Sequence, residues 1–198
     1  MYVLDHSLKQ LRLWHKDGLR LSMAVNLTLR NLHDPAFPLD VKRLLDQYDI
    51  PARYLQLEIT ENIVMADPVR VLGVLKGLRD LGCQLALDDF GTGYSSLQHL
   101  KNLPVDELKI DKSFVMNMAS DESDKVIVKS TIDLARNLKL RTVAEGVEDL
   151  AAWDVLVGMG CEIAQGFLLS RPVPAVELTR WIRNQERRQV LTPAARAL

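Results

Sequence analysis

The chain has 198 residues, 47% hydrophobic and 26% charged, with a formal net charge of −1. That length can bury a real core as one large domain or two small ones, and the balanced charge gives no sign of a nucleic-acid-coating protein. No apolar run reaches the ~20 residues of a membrane span, no secretory signal opens the chain, and the two cysteines, Cys83 and Cys161, form no metal or disulfide pattern, so a cytoplasmic setting is expected.

Taken in chain order, Leu4, Leu8, Leu11 and Trp14 recur at helical spacing, and a strand follows at 22–26 (SMAVN). Leu44, Leu45 and Tyr48 mark the next helix, and 55–60 (LQLEIT) the next strand. Val71, Leu72, Leu75 and Leu78 predict a helix that Asp67 caps and Pro68 starts. After the strand at 84–89 (QLALDD) comes Gly91-Thr92-Gly93-Tyr94-Ser95-Ser96, which reads as a turn ending in a serine cap for a helix through Leu97 and Leu100. Its backbone amides could touch a phosphate. Strands at 107–111 (ELKID), 141–146 (RTVAEG) and 162–167 (EIAQGF) then alternate with helices at 124–138, 149–157 and 174–187. We expect one domain over 1–187 and a frayed tail over 188–198.

Most of these strands read as apolar on both faces, as parallel strands covered on both sides do. Strand–helix alternation predicts a parallel sheet, either open or closed into a barrel. Leu81-Gly82-Cys83-Gln84-Leu85-Ala86 is echoed by Met159-Gly160-Cys161-Glu162-Ile163-Ala164. In both, a glycine ends a helix just before a strand, which makes the cysteines small buried residues.

Each strand ends in polar groups: Asn26; Glu58 and Glu61; Asp88 and Asp89; Lys109 and Asp111; Glu145 and Glu148; Gln165. In parallel β/α architectures these ends share one face, where active sites lie. Seven carboxylates at one mouth demand a cation, and carboxylate and amide oxygens suit Mg²⁺ or Mn²⁺, or Ca²⁺ where the geometry is loose. The four histidines fall elsewhere, which argues against an imidazole-rich zinc site. Successive strand residues point apart, so a bend is needed to aim both Asp88 and Asp89 inward. Taken singly, Glu61 and Glu148 read as caps or loop acids and Asn26 as a turn residue. Lys109, between Leu108 and Ile110, reads as an inward and costly charge.

Together, Asn26 in AVNLT, Glu58-Ile59-Thr60-Glu61, Asp88-Asp89-Phe90-Gly91-Thr92-Gly93-Tyr94-Ser95-Ser96-Leu97, Leu108-Lys109-Ile110-Asp111, Ala144-Glu145-Gly146-Val147-Glu148 and Gln165-Gly166-Phe167 resemble the EAL family, in order and spacing, over roughly residues 2–185. The resemblance implies an α/β fold, a TIM-like (β/α) barrel, that hydrolyses cyclic di-GMP to linear pGpG with two Mg²⁺ or Mn²⁺ ions. It implies metal-site roles for Asn26, Glu58, Asp88 and Asp89. Glu145 would be the base for water or a second-metal ligand, and Lys109 would hold that water and the phosphate. Asp111, Glu148 and Gln165 would be metal-site or substrate-side residues. Glu61 would brace the loop carrying Thr92 and Ser95, which in the family links a homodimer contact to the metal site.

Family members begin with two further strands, one bearing the Glu-Ala-Leu motif and its metal-binding glutamate. That motif does not occur in this chain, so six of eight strands are expected, with open edges at 22–26 and 162–167. The alternative to an enzyme is a module that binds cyclic di-GMP, or regulates through contacts, without cleaving it.

Overall fold

In the computed structural model, which describes residues 1–92 and 97–191, helices and parallel strands alternate. The elements are α1 (Tyr2–Lys16), β1 (Met23–Asn26), α2 (Leu29–Leu32), α3 (Phe37–Tyr48), β2 (Leu55–Thr60), α4 (Glu61–Ala66), α5 (Pro68–Asp80), β3 (Gln84–Phe90), α6 (Leu97–Asn102), β4 (Glu107–Ile110), α7 (Lys112–Val115), α8 (Glu122–Asn137), β5 (Arg141–Ala144), α9 (Leu150–Met159), β6 (Ile163–Ala164) and α10 (Ala175–Leu191). The strands form one six-stranded parallel sheet in sequence order, β1 to β6, curled as a part-barrel in the TIM-like manner. Helix α10 carries the chain past 187, and the end of the expected tail, 192–198, lies outside the described residues.

Local chemistry fixes the helix starts. Asp67 caps α5 by accepting from the Arg70 amide, with Pro68 in the first turn. Asp121 caps α8, and Asp149 caps α9 through the Ala152 amide. Gly160 ends α9 in the left-handed region (φ +74°), the conformation glycine adopts without a Cβ penalty. The echoed Gly82 has the same sense. Cys83 is buried, and burial pushes its thiol up to about 11; Cys161 is only half-buried. The short helices α2, α4 and α7 were not foreseen. They sit directly after strands: a Thr28–Asn31 capping box starts α2, and the Asp111 carboxylate starts α7.

One expectation is corrected. The central strands are not apolar on both faces. Leu57, Ile59, Leu85, Leu87, Leu108 and Ile110 are essentially fully buried in the core, each worth about 1.5–3 kcal/mol of transfer free energy. Between them, Gln56, Glu58, Gln84, Glu107, Lys109 and Arg141 line a common cleft of about 400 Å³ with Ala24, Val143 and Ile163. The inner face of the sheet is therefore largely polar. At its base Gln56 donates to Glu107 (2.6 Å) and Arg141 pairs with the same carboxylate (3.2 Å).

Strands β1 and β6 are the two ends of the sheet, and among the described residues each pairs on one side only. Unpaired edges template association. The chain should self-associate with rising concentration in sedimentation velocity, and Ile163→Lys, a charge on the β6 edge, should weaken that association. A concentration-independent monomer would show that these edges are protected.

Candidate metal centre

The site is built at the C-terminal ends of the central strands. Residues of one parity on neighbouring strands face the cleft, so Glu58 on β2, Asp88 on β3 and Lys109 on β4 converge, and Glu145 joins them just beyond β5. The Lys109 ammonium lies 3.0 Å from Glu58 Oε1, 3.1 Å from Asp88 Oδ1 and 2.8 Å from Glu145 Oε1. Lys109 is 3% exposed. Burial alone would lower its pKa, but the Glu145 hydrogen bond and the charges of Glu58, Glu145 and Asp88 raise it above the ordinary lysine value. It is a permanent cation.

Asp89 enters by distorting its strand. The β3–β4 register shifts between Leu87 and Phe90, and Asp89 takes φ +54°. A bulge of this kind re-aims a side chain that simple alternation would point away. Thr92 closes the turn behind it, its hydroxyl donating to the Asp89 carbonyl at 2.9 Å. One carboxylate oxygen from each of Asp88, Asp89 and Glu145 lies within 4.8 Å of the others. Burial and then the neighbouring charges of Asp88 and Asp111 raise the pKa of Asp89. Burial also raises Glu145, with Asp88 and Glu58 adding to the effect and Lys109 opposing it. Asp111 is held low despite partial burial, chiefly because the Ser113 hydroxyl and amide donate hydrogen bonds to it. One lysine thus leaves this group of acids short of positive charge. Clustered hard oxygens of this kind fit a divalent cation.

The other sequence candidates lie around this centre. Asn26 is exposed and is the register partner of Glu58. Gln165 lines the cleft with Glu58 and Lys109. Asp111 also serves as the α7 cap, the bland role of a strand-end acid. Glu148 is exposed, and among the described residues it is not one of the ion-pair partners of Lys109. Glu61 is 2% exposed, and neither carboxylate oxygen has a hydrogen-bond partner among the described residues. Ser95 lies outside the described residues. Sequence reasoning missed the Gln56–Glu107–Arg141 layer, Ser113, and the turn-closing role of Thr92. A signal for the first existed, since Gln56 and Glu107 precede Glu58 and Lys109 by two residues and so share their face.

The EAL domain family model matches residues 1–172. The chain belongs to the EAL family. It is 42% identical over 178 residues to the bifunctional diguanylate cyclase/cyclic di-GMP phosphodiesterase MucR of Pseudomonas aeruginosa, covering 89% of this chain and 26% of that protein. It is 40% identical to the cyclic di-GMP phosphodiesterase NbdA of the same organism, covering 92% of this chain and 23% of the relative. The solved c-di-GMP complex of the MucR phosphodiesterase superposes with a TM-score of 0.85 at 42% identity, over 89% of this chain and 72% of that one. The chain spans about a quarter of the length of these curated relatives. Among the described residues, no helix is long and apolar enough to cross a membrane.

In this EAL domain two glycines permit close approaches at the site, Gly166 between the chain after β6 and the chain after β5, and Gly146 between the end of β5 and α7. A Cβ on Gly166 would lie 2.1 Å from the Val147 carbonyl oxygen and 2.3 Å from its nitrogen, and one on Gly146 (φ +70°) would lie 2.5 Å from Lys112 Cβ. The Val147 amide donates to the Gln165 carbonyl at 3.0 Å across this contact. Gly166→Ala should therefore push Gln165 away from Glu145, costing about 1–3 kcal/mol of stability and weakening divalent-cation binding. Thermal unfolding with and without Mn²⁺ checks this; an unchanged melting temperature and Mn²⁺ response would contradict the close approach.

Proposed function

We propose that this domain hydrolyses cyclic di-GMP to linear pGpG in a divalent-metal-dependent reaction, within a bacterial second-messenger system. The observation that carries the reading is the convergence of Asp88, Asp89 and Glu145 beside the buried Lys109 ammonium, in a chain whose EAL relatives include proteins named as cyclic di-GMP phosphodiesterases.

The substrate is an anionic phosphodiester, and an acidic mouth repels it. Mg²⁺ or Mn²⁺, when bound, supplies the charge that admits the phosphate and lowers the pKa of water. Asp88, Asp89 and Glu58, with Asn26 and Asp111 at the rim, are assigned to holding the metals. Glu145 is assigned as the base. Its pKa is raised by burial and neighbouring acids, so it accepts a proton more readily than an exposed glutamate. As water attacks phosphorus, one of its protons passes to Glu145, the bond from phosphorus to the sugar 3′ oxygen breaks, and the departing 3′ oxygen takes a proton from solvent to become a hydroxyl. Lys109, 2.8 Å from Glu145, orients that carboxylate and offers a fixed positive charge to the phosphate. Gln165, and Glu148 at the exposed edge, are assigned to the substrate side.

Glu61, with Thr92 and Ser95, is assigned to supporting the 91–96 segment, and a homodimer contact is assigned to the same loop. The buried carboxylate of Glu61, unpartnered among the described residues, fits a partner beyond them. The retention of Glu145 and both aspartates favours cleavage over the alternative of a module that only binds the nucleotide.

Two variants test these roles. Asp88→Asn should remove most turnover by weakening metal binding; full turnover in that variant, or undiminished turnover in chelator, would sink the metal assignment. Glu145→Gln should lose about 10²–10⁴-fold in rate while nucleotide affinity changes little, measured by single-turnover kinetics beside equilibrium binding. Equal losses of rate and affinity would make Glu145 a binding residue instead.

A further inference from the structure

Among the described residues, Lys109 is the one cation ion-paired with Glu58, Asp88 or Glu145. Those three carboxylates come from β2, β3 and the end of β5, and Lys109 rises between them from β4. All four side chains are at least four-fifths buried. Like charges so placed, in a medium less polar than water, would drive the strand ends apart. The lysine instead gives each carboxylate a direct partner.

We propose that Lys109 is the internal counter-cation of the metal-free domain: its ammonium holds Glu58, Asp88 and Glu145 in place before any metal binds, and its charge sets how tightly a divalent cation then binds there. The second half rests on the metal-site reading above; the first half does not. In this role Lys109 is a positioning residue. Two opposing consequences separate it from a lysine that merely fills space. Removing the charge should harm the metal-free domain, because three carboxylates lose their partner. It should also favour the metal-bound domain, because a divalent cation no longer meets a fixed positive charge a few ångströms away.

The test compares the full chain with Lys109→Met in thermal unfolding, in chelator and in saturating Mn²⁺, together with calorimetric Mn²⁺ titration. In chelator the variant should melt about 10 °C lower, and Lys109→Met/Glu58→Gln, with one repelling carboxylate also removed, should recover part of that loss. Mn²⁺ should close most of the gap, and the variant should bind Mn²⁺ roughly tenfold or more tightly than the parent. Should Lys109→Met fail to fold in chelator, the double variant decides: recovery of a folded state supports the counter-cation, and failure of both overturns it. Equal melting of parent and Lys109→Met in chelator would overturn the proposal. So would a deficit of the same size with and without Mn²⁺, which is the signature of lost packing. If Mn²⁺ shifts neither protein and shows no binding, the metal-site reading and the tuning half fall together, while the chelator comparison still decides the counter-cation role.

Discussion

One buried ammonium organises the site end of this fold. Lys109 could not stay charged at 3% exposure without partners, and the carboxylates of Glu58, Asp88 and Glu145 meet around its ammonium at 2.8–3.1 Å. Each makes the other tolerable. The sheet provides the geometry: parallel strands in register place every second side chain on the inner face, so Glu58, Asp88 and Lys109 share it. The apolar residues between them face the helices and bury the core that holds the strands rigid. The site is therefore as stiff as the sheet, apart from the one acid that depends on a distortion.

That acid is Asp89. Its left-handed φ and the register shift around it are costs that a plain strand would not carry. They bring a second carboxylate from one strand to the same point as Asp88 and Glu145. The two glycines at β5 and β6 act in the same sense, since Gly146 and Gly166 allow backbone approaches that any side chain would block. Among the strands the strain falls at the acid cluster; the other left-handed non-glycine residues, Asp49 and Lys139, lie just past the ends of α3 and α8.

Much of this was legible in the sequence, for physical reasons that differ by element. Long helices announced themselves through apolar spacing and caps, as at Asp67-Pro68 and the 122–137 segment. The strand positions were clear from their Val, Ile and Leu content, but their inner face was misread. A strand such as LQLEIT looks apolar overall because its outward leucines and isoleucine dominate, while Gln56 and Glu58 occupy the other face. The short helices α2, α4 and α7 have too few residues to show periodicity, and only their capping residues could have revealed them. Convergence of Glu58, Asp88 and Lys109 followed from strand-end position, whereas the turn at Asp89 depends on a bulge that no periodicity encodes. Glu148 shows the limit of the strand-end rule: it lies three residues past Glu145, beyond the reach of the ladder, and is exposed.

The acids around Lys109 are proposed to form a divalent-cation centre. Crystals of the chain grown or soaked with Mn²⁺ and measured for anomalous scattering address it directly. The account predicts a Mn²⁺ peak within coordination distance of Asp88, Asp89 and Glu145, with the Lys109 ammonium turned from at least one of its three carboxylates. An anomalous map with no peak there under saturating Mn²⁺, and Lys109 still paired to all three, would contradict it.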